Sequence, residues 1–120
     1  MDKKHIEEHL GDLKKIDISF INGNENAVYL ILATVGYIDG TPNMQTALLD
    51  KMQGYLSHTQ SDWFAKEYPN MNKKLVVTFT EKPHELILKL LDKCISWCDE
   101  FNVELLFELE GKRFHIAESK

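Results

Sequence analysis

His5-Ile6-Glu7-Glu8-His9 sets two histidines one helical turn apart with a glutamate beside the second, the form H-x-x-E-H. Imidazoles at that spacing can hold a zinc ion from one helix face, and the glutamate can activate a zinc-bound water for hydrolysis. Glu85 follows at a separation that would suit a third ligand. The surroundings argue against such a site. The motif lies near the start of the sequence on a charge-dense, weakly amphipathic segment, whereas a catalytic zinc needs ligands fixed by an outer layer of hydrogen bonds. Zinc peptidases with this arrangement are also much larger chains that enclose substrate between domains. His5, Glu8 and His9 therefore read as a solvated charged face, with a small zinc-dependent hydrolase as the alternative.

Cys94 and Cys98, four apart in a helical pattern, could join His58 or His115 around a metal or form a redox pair. They continue an apolar stripe and do not have C-x-x-C spacing, so core packing is the expectation. Neither stands at a helix N-terminus or a strand-to-helix elbow, and G-x-S-x-G is absent, so no activated nucleophile is expected. His84, near a helix start, is a poor dipole partner rather than a base. Gly36, Gly40 and Gly54 do not make G-x-G-x-x-G, and no phosphate-binding G-x-x-x-x-G-K-[ST] occurs. Asp39 reads as half of an Asp-Gly turn. Glu104, Glu108 and Glu110, with Asp99 and Glu100, could attract cations or a basic partner but read as the wet face of a strand. Tyr55, Trp63, Phe64 and Tyr68 could be interface anchors but read as the cap of a small core. No catalytic, cofactor-binding or metal residue is expected, and no cofactor.

The elements that would position these groups follow from periodicity. Ile6, Leu10 and Leu13 mark a short peripheral helix within residues 1–14. Ile16, Ile18 and Phe20 alternate as a strand, Asn22-Gly23 turns the chain, and residues 27–38 form a second strand that is apolar on both faces. Thr41-Pro42 caps a helix that runs to about Ser57, with another turn or two from Ser61 to Tyr68. Leu75 to Thr80 is a strand, Pro83 opens the strongest helix, and Asn102 stops it. Val103 to Glu110 and Arg113 to Ala117 complete the set. The expectation is an α+β fold in the order α-β-β-α-β-α-β-β, two main helices packed on a mainly antiparallel sheet of about five strands.

The stretch LLDKMQGYLSHTQSDWFAKEYP, Leu48 to Pro69, followed by KKLVVTF, Lys73 to Phe79, resembles an uncharacterised family of small bacterial proteins. Its members show K-x-N-a-Y-l, a segment containing Ser-Gly, and Y-P before a strand. Lys51, Tyr55, Leu56, Ser61, Tyr68 and Pro69 match, while Gln53 replaces the family's usual Asn and Asp62 its Gly. The likeness covers residues 24–110 and implies a small single-domain bacterial protein whose role is unassigned.

Composition bounds the rest. The chain has 120 residues, 43% hydrophobic and 28% charged, which suits one domain over 1–120 with a real core. Fourteen basic residues against 19 acidic ones leave a net charge of −5, a balance that argues against nucleic acid as a partner. No signal-peptide pattern opens the sequence, and the run 27–38 is too short for a bilayer, whose spanning helices need ~20 residues. A cytoplasmic, acidic protein with reduced thiols and no membrane association is expected. Its function reads as a protein-interaction module without catalysis. A strand that is apolar on both faces, beside helices that cover one of them, calls for a further cover, either the amino-terminal helix or a second copy of the chain as a homodimer, and the acidic balance suits a basic protein partner, as for an immunity-type protein. A ligand pocket near Tyr37 and Trp63 is a third possibility.

Overall fold

Two helical segments interrupt three strands, and that decides how the sheet is built. Strand β1 (Ile18–Asn22) is followed by β2 (Ala27–Ala33), after which the chain makes helices α2 (Pro42–Thr59) and α3 (Asp62–Glu67) before β3 (Asn72–Phe79). Helix α4 (Glu85–Asp99) then leads to β4 (Val103–Leu109) and β5 (Lys112–His115), and α1 (Lys3–Leu10) precedes the whole. The computed structural model describes residues 3–11, 18–22, 26–110 and 112–115, with side chains placed for Ile6, Glu8 to Gly11 and Asn26 to Glu110. The expected turn at Gly23, the residues Leu13, Ile16 and Gly111, the end of the last expected strand and the side chains of His5 and His115 lie outside that set.

Spatial strand order equals chain order, β1-β2-β3-β4-β5. The expected mainly antiparallel sheet is overturned, because β2, β3 and β4 run parallel, in register from Ala27↔Asn72 and Lys73↔Val103, and only β1 and β5 are antiparallel to their neighbours. The reason is the helices themselves. A helix between neighbouring strands carries the chain back to its starting edge, so the next strand repeats the direction. Both crossovers step the same way across the sheet, and the right-handed rule then puts both helices on one face.

That face holds the main core. Val28, Leu30, Leu32, Leu75, Val77, Phe79, Leu105 and Phe107 meet Met44, Leu48, Met52 and Leu56 of α2 and Ile87, Leu91, Cys94 and Cys98 of α4. Hiding each large apolar side chain contributes roughly 1.5–3 kcal/mol. Helix α1 adds Ile6 and Leu10 to the same cluster and ends at Gly11, whose φ of +73° is the left-handed stop a glycine supplies.

The opposite face is neither open nor simply acidic. Ala27, Tyr29, Val76 and Leu106 form a second cluster, between 0 and 4% exposed within the single chain. Beside it, Lys74 Nζ lies 2.7 Å from Glu104 Oε1 and 5.9 Å from the centre of the Tyr29 ring. The expected wet face of β4 thus carries a buried leucine and a paired glutamate, and the reason for expecting a second copy to cover the sheet is removed.

Candidate interaction surface

Strand β2 stops at Ala33, short of the expected Ile38: Thr34 still reaches β3, but from Val35 onward the backbone finds partners outside the ladder. Thr34 gives both its N–H and its hydroxyl to Thr78 O, at 3.0 and 2.6 Å. Val35 N donates to His9 O at 2.9 Å, and His9 Nδ1 donates to Val35 O at 2.6 Å, a direction fixed by the carbonyl's being only an acceptor. Gly36, at φ +73°, donates to Thr80 Oγ1 at 2.8 Å. Further along, His84 N donates to Ile38 O at 2.9 Å, and Asp39 Oδ1 accepts from the N–H and hydroxyl of Thr41. Asp39 is therefore a turn residue, as expected.

This pinned segment opens both neighbouring helices. Thr41 Oγ1 accepts from Met44 N to cap α2, and His84 Nδ1 accepts from Leu86 N at 3.0 Å to cap α4. Gly40 lies against that imidazole: a methyl there would stand 2.7 Å from His84 Nδ1. Out of this scaffold three large apolar side chains face solvent, Val35 (60% exposed), Tyr37 (46%) and Leu86 (44%). Glu8, Glu81, Lys82 and Glu85 are exposed on the same segments, and Glu85 pairs with Lys89 at 3.2 Å.

A second concavity occupies the amino ends of the parallel strands. Asn26, Asn70 and Asn102 immediately precede or closely lead into β2, β3 and β4 with φ of 49°, 57° and 60°. A groove of about 440 Å³ is bounded by Tyr68, Pro69, Met71, Lys73 and Asn102, and adjoins one of about 570 Å³ that reaches Asp99 and Glu104. Phe64 and Tyr68 of its lining meet at 4.8 Å between ring centres; behind them, outside the lining, Trp63 meets Tyr68 edge-on at 6.1 Å and His58 lies 5.4 Å from both Trp63 and Phe64. Phe64 and Tyr55 are core residues, as expected of that aromatic group, but Trp63 is 53% exposed.

The residues that sequence reasoning singled out for chemistry are dispersed. Among the described residues no three of His, Cys, Asp and Glu come together to hold a metal. Glu8 is exposed, His9 secures Val35, and the side chain of His5 lies outside the described residues. Cys94 and Cys98 are free and buried in the core. Burial pushes both thiols up, Cys98 to about 12 with smaller contributions from Cys94 and Asp99, so neither is a nucleophile near neutrality. Tyr37 and Trp63 cannot line one pocket. They stand at opposite ends of α2, whose 18 residues span about 27 Å.

The residues behind the family resemblance are structural ties. Lys51 is fully buried and its ammonium donates to Leu10 O, the last helical carbonyl of α1. Tyr55 donates its hydroxyl to Ile31 O at 2.8 Å, and Ser61 caps α3 by accepting from Phe64 N. The Val35–Tyr37–Leu86 patch was hidden in the sequence because apolar alternation continued smoothly through it as if β2 did. No protein-family model matches this chain, nor does any curated protein or solved structure.

Proposed function

We propose that the protein is a cytoplasmic interaction module, without catalysis of its own, that docks a basic protein on the patch of Val35, Tyr37 and Leu86, as an immunity-type inhibitor would. The observation that carries this reading is a concentration: of the four large apolar side chains that are exposed among the described residues, three stand at this one end. Scattered exposed apolar residues need no explanation, whereas grouped ones mark contact surfaces, and aromatic anchors dominate such contacts. The patch is also held ready. Hydrogen bonds from His9, Thr80, His84 and Asp39 fix the backbone beneath it, which lowers the cost of ordering on binding. Glu8, Asp39, Glu81 and Glu85 outnumber Lys82 and Lys89 around it, and the whole chain carries −5, so a basic partner gains in encounter rate.

The test is capture from source-cell lysate by the tagged protein at low and high salt, beside a Tyr37→Glu/Leu86→Glu variant and a Trp63→Glu control. A basic protein retained at low salt, weakened at high salt, kept by the control and lost by the double variant supports the reading. Equal capture by all three proteins, or none, overturns it. Stoichiometric zinc in the purified tag-free protein, lost in His9→Ala, would replace it with the hydrolase that His5, Glu8 and His9 could form.

A further inference from the structure

His84 joins the two segments that carry the apolar patch. Its backbone N–H donates to Ile38 O at 2.9 Å, the residue after Tyr37. Its ring stands so close to Gly40 that a methyl carbon there would fall 2.7 Å from Nδ1 and 3.1 Å from Leu86 Cβ. The same nitrogen accepts the N–H of Leu86 at 3.0 Å and so caps α4. One residue thus ties the Val35–Tyr37 segment to Leu86.

An imidazole nitrogen accepts a hydrogen bond only while it carries no proton, so the cap exists only in the neutral ring whose hydrogen is on Nε2. A proton taken up at Nδ1 sets N–H against N–H, at the amino end of a helix that already carries partial positive charge. The capping bond is then lost. His9, at the same end of the molecule, behaves differently: its Nδ1 donates to Val35 O, and a second proton on Nε2 leaves that bond in place.

The charged groups on the segments that meet at His84 do not hold a protonated ring where it is. Asp39, one residue before Gly40, accepts from the N–H and hydroxyl of Thr41, and α2 has no acidic residue in its first turn. Glu81 Oε2 lies 3.9 Å from where a Gly36 Cβ would stand, Glu85 pairs with Lys89, and Glu8 and Lys82 are exposed. Among the described residues His84 makes no ion pair.

We propose that acid loosens the patch: a proton on His84 uncaps α4 and frees Leu86 from the Val35–Tyr37 segment. The surface is then fully assembled at about pH 8 and comes apart as pH falls toward about 5, the range in which histidines take up a proton. Its consequence, release of a bound basic protein on acidification, rests on the docking reading; the pH coupling itself does not.

The test compares the full chain with His84→Asn, whose side chain caps a helix whatever the pH. Urea unfolding of both from pH 8 to pH 5 should show the folding constant of the variant rising about fivefold relative to that of the natural chain, the worth of one helix cap. Every other histidine is common to the two and cancels. Backbone amide resonances of the free chain locate the change: those of residues 37–41 and 85–88 should move together with pH, and should stay still in His84→Asn. A ratio of folding constants that is constant over the range overturns the proposal, as do pH-dependent shifts of residues 37–41 that persist in the variant. A captured basic protein should elute at pH 5 more readily from the natural chain than from His84→Asn, and equal elution overturns the proposal too. Absence of any captured protein would sink the docking reading and leave the pH coupling to be decided on the free chain.

Discussion

An asparagine in the left-handed region leads into each parallel strand, the cheapest non-glycine solution where the chain must turn sharply into a strand, after a helix at Asn70 and Asn102 and after β1 at Asn26. Glu110, at φ 51° after β4, is the costly exception, since a longer side chain tolerates the left-handed region less well than asparagine's. Glu110→Asn is expected to stabilise the fold by about 1 kcal/mol in urea unfolding. Cys98 gives a second expectation. Its thiol titrates near 12 in the folded chain against an ordinary value of 9.0, so the folded state holds this proton more tightly. The stability this supplies is complete below pH 9 and is lost as pH rises toward 12; a Cys98→Ala variant should lack that part of the alkaline decline in urea midpoints. The cysteines' place in the core was legible from their step along the helix, and so was the turn at Asp39. The left-handed turns at Asn26, Asn70 and Asn102 were not, because a single residue's φ leaves no periodic signal. Nor was Lys51, whose burial depends on a carbonyl 41 residues away.

At the level of elements, α4 and the segment before α2 are coupled through one imidazole. Gly40 has room for no side chain while His84 caps α4. Gly40→Ala should therefore cost about 1 kcal/mol or more by displacing the cap, and should cost measurably less in a His84→Ser background, whose shorter cap leaves space. A double-mutant cycle in urea reads the difference, and equal costs in both backgrounds would refute the coupling. Element types were readable, and Thr41 starts α2 where capping chemistry puts it. Boundaries were less so: α4, expected from Pro83 to Asn102, runs from Glu85 to Asp99 behind a His84 cap, and β3 starts at Asn72 rather than Leu75. Strand direction was the failure. The run from Ala27 was correctly seen as apolar on both faces, which is the mark of a parallel strand, yet the hairpin signal at Asn22-Gly23 and the alternation in β4 pulled the reading toward an antiparallel sheet. A helix between each pair of central strands was the stronger clue, because a crossover dictates direction whatever the strands' own pattern.

On the scale of the molecule, the apolar patch with its acidic neighbours and the groove lined by amides and rings sit at opposite ends of the parallel strands. Neither requires a second copy of this chain, and the second-face cluster of Tyr29, Val76 and Leu106 is already covered. The protein is accordingly expected to be a monomer at micromolar concentration. Light scattering on a sizing column checks this, and a mass near twice 13.9 kDa would require another explanation for that cluster.

Strand order that follows chain order has a kinetic corollary. Every pairing joins strands that are consecutive along the polypeptide, so the sheet can lengthen by one edge as synthesis proceeds, with no later segment needing to wedge between two already joined. In each intermediate β1 keeps one edge while the newest strand forms the other, and that newest strand's partner is the next to leave the ribosome.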